Sequence, residues 1–244
     1  MVKRKPLRCA LIAVALLSAC TLAAAFSTIS YMGYRGAQPS PNPSGKDGAN
    51  PGEFPDVDWA YWMQVNPDII AWITIPGTAL NLPSVQAAPQ DPDFYLTHDV
   101  YGEANFTGCP YLDAGCITAG GLLQCPNSVI YGHNMGWSRD MFGDLARYAD
   151  KSWGEKHRVI LLQTPDLQAR LKVQALAIVP GWNAAKRIEF ADSADFASWW
   201  NACFTESDVR YETKPPAGRN LVTLCTCSYS HWDNERTLVY CLAA

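Results

Sequence analysis

Leu221-Val222-Thr223-Leu224-Cys225-Thr226, with Cys227 immediately after it, and Thr237-Leu238-Val239-Tyr240-Cys241-Leu242, with Arg236 immediately before it, decide the reading of this chain. Both runs are rich in Val, Leu and Thr, and the turn-like Trp232-Asp233-Asn234-Glu235 lies between them. That pattern predicts two antiparallel strands. Arg236 stands nine positions after Cys227, so the pairing would bring a thiol and a guanidinium to the same rim. A third group, His133, sits upstream in Tyr131-Gly132-His133-Asn134-Met135, directly after the strand-like run Asn127 to Tyr131. Thiol, imidazole and guanidinium are the three groups needed for acyl transfer through a thioester.

Outward from this core the signal is mostly β. Ala71 to Ile75, Arg158 to Gln163 and Ala169 to Val179 are further short runs rich in β-formers, separated by Pro, Gly and Asp. Six or more strands at this spacing predict a closed or nearly closed barrel with added helices. Asp56 can cap a short helix with Trp59, Trp62 and Met63 on one face, ended by the turn signal Asn66-Pro67-Asp68. Ser138 can cap a second with Met141, Leu145 and Tyr148 on one face, and Ser193 a third with Phe196, Trp199, Trp200 and Cys203. The aromatic stripe of that third helix reads as core.

The chain's 48% hydrophobic content supports one folded domain, expected over residues 56–244. Residues 1–8 are basic, and residues 9–34 carry no charge. Such a run is longer than the roughly 20 residues that span a bilayer as a helix, so it predicts a transmembrane anchor, with 1–8 as a cytoplasmic tail. A cleaved signal peptide and a lipoprotein site at Leu17-Ser18-Ala19-Cys20 are the alternatives, and all three put the domain outside the cytoplasm. Residues 35–55, rich in Pro, Gly, Ser and Asn, read as a flexible linker. Residues 1–36 hold five of the 19 basic residues and no acidic one, so the remainder sets 14 basic against 23 acidic residues. That balance argues against nucleic-acid binding.

Seven cysteines lie beyond the anchor: 109, 116, 125, 203, 225, 227 and 241. An odd number leaves at least one thiol unpaired, which suits a nucleophile; the other six could form up to three disulfides or remain free and buried. Connectivity does not follow from sequence. No Cys-x-x-Cys or His-x-x-x-His pair occurs, so no metal site is expected. Taken singly, each candidate has a bland reading: His133 as a structural histidine, Cys227 as a core cysteine, Arg236 as a solvated strand edge. A free thiol has a pKa of about 8.5, so a nucleophilic cysteine needs a cationic or basic neighbour, which His133 and Arg236 would supply.

Taken together, these residues resemble the sortase family, and within it class B. Thr223 to Cys227 matches the signature Thr-Leu-x-Thr-Cys around the nucleophile, and residues 131–135 resemble the class B histidine motif. Further similarity lies in the stretch from Asn66 to Thr78, in Val85-Gln86, in Phe94-Tyr95-Leu96 and in Tyr111-Leu112-Asp113, so it runs from about residue 56 to the C-terminus. The segment from Trp182 to Lys214 resembles the long connection that class B members place before the nucleophile strand.

The resemblance implies an eight-stranded β-barrel held at the surface of a Gram-positive bacterium by the N-terminal helix. It implies a transpeptidase without cofactor: Cys227 attacks a sorting motif near the C-terminus of a secreted protein, His133 protonates the leaving amine, and Arg236 steadies the oxyanion. An amine of a peptidoglycan precursor, or a pilin lysine, then resolves the thioester. Leu96, Cys225 and Thr226 are the positions it places beside the substrate. Two departures stand near that groove: position x, commonly Ser, is Cys225, and the Asn expected before the Tyr-Leu pair is Pro92. Cys225 and Cys227 also raise a redox-pair reading, although a disulfide between alternate residues of one strand would be strained. A secreted cysteine peptidase and a non-catalytic surface binding protein on the same barrel are the rival functions.

Overall fold

Among the described residues, apolar runs flanked by turn residues fold into nine strands: β1 (Ile69–Thr74), β2 (Asn81–Val85), β3 (Tyr111–Leu112), β4 (Asn127–Tyr131), β5 (Val159–Gln163), β6 (Gln168–Pro180), β7 (Val209–Arg210), β8 (Leu221–Ser228) and β9 (Glu235–Ala243). The computed structural model describes residues 52–183, 187–217, 220–228 and 234–243. The expected tail, the anchor over 9–34 and nearly all of the linker lie outside the described residues, as do Trp232 and Asp233 of the expected turn. Among the described residues no helix is long and apolar enough to cross a membrane.

The sheet order is β5-β1-β2-β3-β4-β8-β9-β6-β7, and β5 also pairs with β6. That extra pairing closes eight strands into a barrel and leaves the two-residue β7 attached to β6 alone. Closure removes the sheet edges that would otherwise expose unpaired backbone groups. The barrel is mixed: β8 runs parallel to β4 and antiparallel to β9.

Ala71, Ile73 and Ile75 are fully buried inside the barrel, while Trp72 faces a second cluster with Trp62, Val85, Tyr95 and Tyr111. Both faces of β1 are therefore covered, which is why its sequence is a continuous apolar run rather than an alternating one. β2 carries Pro83, yet it meets β3 only at Val85, so the missing N–H of the proline interrupts no ladder on that side.

The first helix, α1 (Trp59–Val65), is capped by Asp58, whose carboxylate accepts from Tyr61 N at 3.0 Å; Asp56 is not the cap. It buries Trp62 and leaves Met63 exposed. Asn66 ends it as expected and then donates to the Tyr95 hydroxyl at 2.7 Å and to Val100 O at 2.9 Å. The helix expected after Ser138 is broken, because Met141 adopts a φ of 53° in the left-handed region. Its successor is a 3₁₀ segment, Gly143–Ala149, which buries Leu145 and Tyr148. Two short helices, α2 (Gly115–Thr118) and α3 (Lys151–Lys156), were not expected. The longest, α4 (Ser193–Glu206), is capped by Asp192 rather than Ser193, and it buries Phe196, Trp200 and Phe204 at i, i+4 and i+8. Trp200 stacks edge-on against Tyr240 of β9 at 5.4 Å, so this stripe is core, with Trp199 and Cys203 at its margin.

Candidate active site

Cys227 is the penultimate residue of β8, half-buried where the strand around it is fully buried. Its ladder partner across the antiparallel rung is Arg236, in the register that the nine-residue separation suggested. Directly paired residues present their side chains on the same face of a sheet, so sulfur and guanidinium share one rim. On its other side Arg236 pairs with Val179 of β6. The next rung is locked: Ser228 donates a short hydrogen bond to the fully buried Glu235.

The parallel neighbour β4 brings the histidine. Tyr131 pairs with Cys225, and past it the chain is fastened to β8 by three hydrogen bonds. Gly132 N donates to Cys225 O at 3.1 Å, Thr226 Oγ1 to Gly132 O at 2.7 Å, and Asn134 Nδ2 to Cys227 O at 3.0 Å. Gly132 is required by space: a Cβ there would stand 2.6–2.9 Å from three ring atoms of the buried Phe142. The Phe142 N–H donates to His133 O at 2.9 Å, which fixes the segment from the other side. His133 Nε2 lies 2.8 Å from Leu96 O. A carbonyl can only accept, so Nε2 carries a proton in this arrangement.

A groove of about 400 Å³ opens over these residues. Cys227, His133, Arg236, Leu96, Cys225 and Thr226 all line it, so every candidate read from the sequence reaches one cleft. Leu96, at the end of the 3₁₀ turn Phe94–Leu96, is 40% exposed, enough to offer an apolar contact to a peptide. Cys225 is buried in the wall, and neither it nor Cys227 is in a disulfide. Pro92, the departure noted above, also lines the groove.

Five further lining residues were not singled out as site residues at the level of sequence: Asp93, Cys109, Tyr111, Asp113 and Tyr131. Tyr131 donates to Asp113 Oδ2 at 2.6 Å, and Tyr111 lies 3.5 Å from Asp93 Oδ1. Burial first, and the neighbouring carboxylates second, push both phenols well above their usual range, so they stay neutral donors. Burial likewise pushes the Cys109 thiol up. The signal that could have found Tyr131 is the pairing of β4 with β8, since a residue opposite Cys225 must share the face of Cys225 and Cys227.

No family model matches the chain. It is 26% identical over 165 residues to sortase B of Listeria monocytogenes, covering 68% of this chain and 65% of that one. It is 24% identical over 177 residues to sortase B of Staphylococcus aureus, covering 72% and 70%. The chain thus spans about two thirds of the length of these relatives. The crystal structure of sortase B from Bacillus anthracis superposes with a TM-score of 0.66 at 26% identity, covering 76% of this chain and 81% of that one.

Proposed function

We propose that this chain, which belongs to the class B sortases, is a cysteine transpeptidase that cleaves a C-terminal sorting motif and passes the acyl group to an amine. The observation that carries the reading is the Cys227–Arg236 rung with the His133 segment pinned to the same strand.

In the first half-reaction the Cys227 sulfur attacks the scissile carbonyl of a peptide lying in the groove. The carbonyl oxygen becomes an oxyanion, which the fixed charge of Arg236 stabilises. Collapse breaks the C–N bond; His133 gives its proton to the leaving amine, and a thioester remains on Cys227. In the second half-reaction an acceptor amine attacks the thioester, His133 takes the amine proton, and the Cys227 sulfur leaves as the thiolate that attacks in the next cycle. Leu96, Cys225 and Thr226 contact the motif. Asn134 acts through Cys227, because its bond to Cys227 O holds the backbone of the nucleophile. Tethering of enzyme and substrate to one membrane would raise their effective concentration.

The acceptor we propose is an amine of a peptidoglycan precursor or a lysine of a pilin subunit, with residues 9–34 anchoring the enzyme to the membrane. Transfer is separated from the peptidase reading by product analysis. A candidate substrate is a secreted protein of the same cell that ends in a sorting motif, an apolar run and a basic tail. Incubated with the enzyme and an amine acceptor, it should yield an amide of cleaved protein and amine. Free carboxylate as the sole product at saturating amine would favour the peptidase, and no cleavage would favour a binding protein.

A further inference from the structure

Six of the seven cysteines among the described residues take no covalent part in that reaction, and two of the six are neighbours. Cys116, in α2, and Cys125, just before β4, are both fully buried. The segment between them doubles back: Gly121 N donates to Cys116 O at 2.6 Å, and Cys125 N donates to Gly121 O at 3.0 Å. This brings the Cys116 and Cys125 side chains together as buried neighbours, each of which perturbs the other. Both sulfurs are held from outside as well. Cys116 Sγ lies 3.7 Å from Asn127 O, and Cys125 Sγ lies 3.2 Å from Ser128 Oγ, which also accepts from Leu123 N at 2.9 Å.

We propose that Cys116 and Cys125 are a dithiol that closes to a disulfide in an oxidising exterior and clamps the segment bearing one wall of the groove. Neighbouring cysteines on one doubled-back segment need little backbone movement to bond. The wall is tied to the pair directly: Asp113 O accepts from Cys116 N at 2.9 Å, Asp113 Oδ1 from Gly115 N at 2.8 Å, and Asp113 Oδ2 from Tyr131.

The oxidant is a disulfide, either a small molecule or an exported protein. The thiolate of one cysteine attacks it, forms a mixed disulfide and releases one thiol. The second cysteine attacks the mixed disulfide at the first cysteine's sulfur and releases the other. Two electrons and two protons pass to the oxidant, whose S–S bond becomes two thiols. In the folded protein the Cys116 side chain, helped by Ser128, draws the Cys125 thiol down against the effect of burial. The same contact and burial push Cys116 up. Burial of both sulfurs assigns closure to the folding chain and then shields the bond from reductants. The pairing leaves Cys227 outside it, free to act as nucleophile.

The test requires no activity. The full chain is refolded in mixtures of reduced and oxidised glutathione, alkylated under denaturing conditions and mapped. No Lys or Arg lies between the two cysteines, so chymotryptic cleavage at Leu122 or Leu123 must separate them. We expect a cross-linked pair containing Cys116 and Cys125, with Cys227 alkylated. We also expect a Tm about 5–10 °C above that of the reduced protein, as for a short closed loop in a domain of this size. The shift should vanish in the Cys116→Ser/Cys125→Ser variant. Full alkylation of both residues in the oxidised protein, a bridge from either to another cysteine, or an unchanged shift in the double variant would overturn the proposal.

Discussion

Arg236→Lys separates an oxyanion role from a structural one. The guanidinium donates to the neighbouring Glu235 O at 3.0 Å, and among the described residues it makes no ion pair. Its backbone, by contrast, is fixed on both sides by rungs to Cys227 and Val179, which substitution leaves in place. A half-exposed hydrogen bond of that kind contributes about 0.5–1.5 kcal/mol, so the Lys variant should lose no more than about 5 °C in Tm. The catalytic loss should be far larger. Removing one oxyanion donor typically costs about 2.7–4 kcal/mol, a hundred- to thousand-fold in kcat, and a point-charge ammonium cannot reproduce the planar fork. Because the interaction exists mainly in the transition state, kcat should fall with little change in KM. The assay is steady-state transfer of a substrate bearing the sorting motif to an amine, beside a melting curve of each variant. Near-normal kcat in the Lys variant, or a loss accounted for by unfolding, would return Arg236 to a structural role.

Gly132→Ala forces a methyl against the Phe142 ring and should cost about 1–3 kcal/mol, read as a lower Tm together with lost turnover; an unchanged Tm would mean that the ring moves aside freely. Asn134→Ala removes the bond to Cys227 O and the acceptor for Gly136 N at 3.0 Å, so kcat should fall while Cys227 remains alkylatable; unaltered kcat would remove Asn134 from the positioning role. Cys225→Ser should keep turnover within a few-fold, since the family commonly carries Ser there, and abolished transfer would point to the wrong nucleophile or a redox role for the pair. His133→Ala should lose transfer without losing the fold, because its ring bonds to Leu96 O at the groove rather than to the barrel core; retained transfer would exclude it as the proton carrier.

How much of this was legible follows from what each element depends on. Six strands were readable because β1, β4, β5, β6, β8 and β9 are long enough to carry a run of β-formers, and their bounds moved by at most two residues. β3 and β7 have two residues each and exist only because neighbours align them, and β2 was hidden by Asn81 and Pro83. The helix caps were displaced because several Asp and Ser residues cluster before each helix and local spacing does not choose among them: Asp58 over Asp56, and Asp192 over Ser193. The left-handed turn at Met141 has no sequence signature, since a bulky residue rarely adopts it. The rim shared by Cys227 and Arg236 was legible because their separation suggests the register in which β8 pairs with β9. The wall built by Asp93, Tyr111, Asp113 and Tyr131 draws on distant segments that meet through the antiparallel β3–β4 pairing and reach Cys225 through the parallel β4–β8 pairing, which periodicity cannot reveal.

The central claim is that Cys227 carries the acyl group. Full-chain enzyme incubated with a substrate bearing the sorting motif and no added amine, quenched in acid and analysed by mass spectrometry, should show the acyl fragment on the peptide containing Cys227. That adduct should be discharged by an added amine. It should be absent from a Cys227→Ala variant whose melting curve matches the parent. An acyl adduct on another residue, or transfer sustained by the Ala variant, would contradict the account.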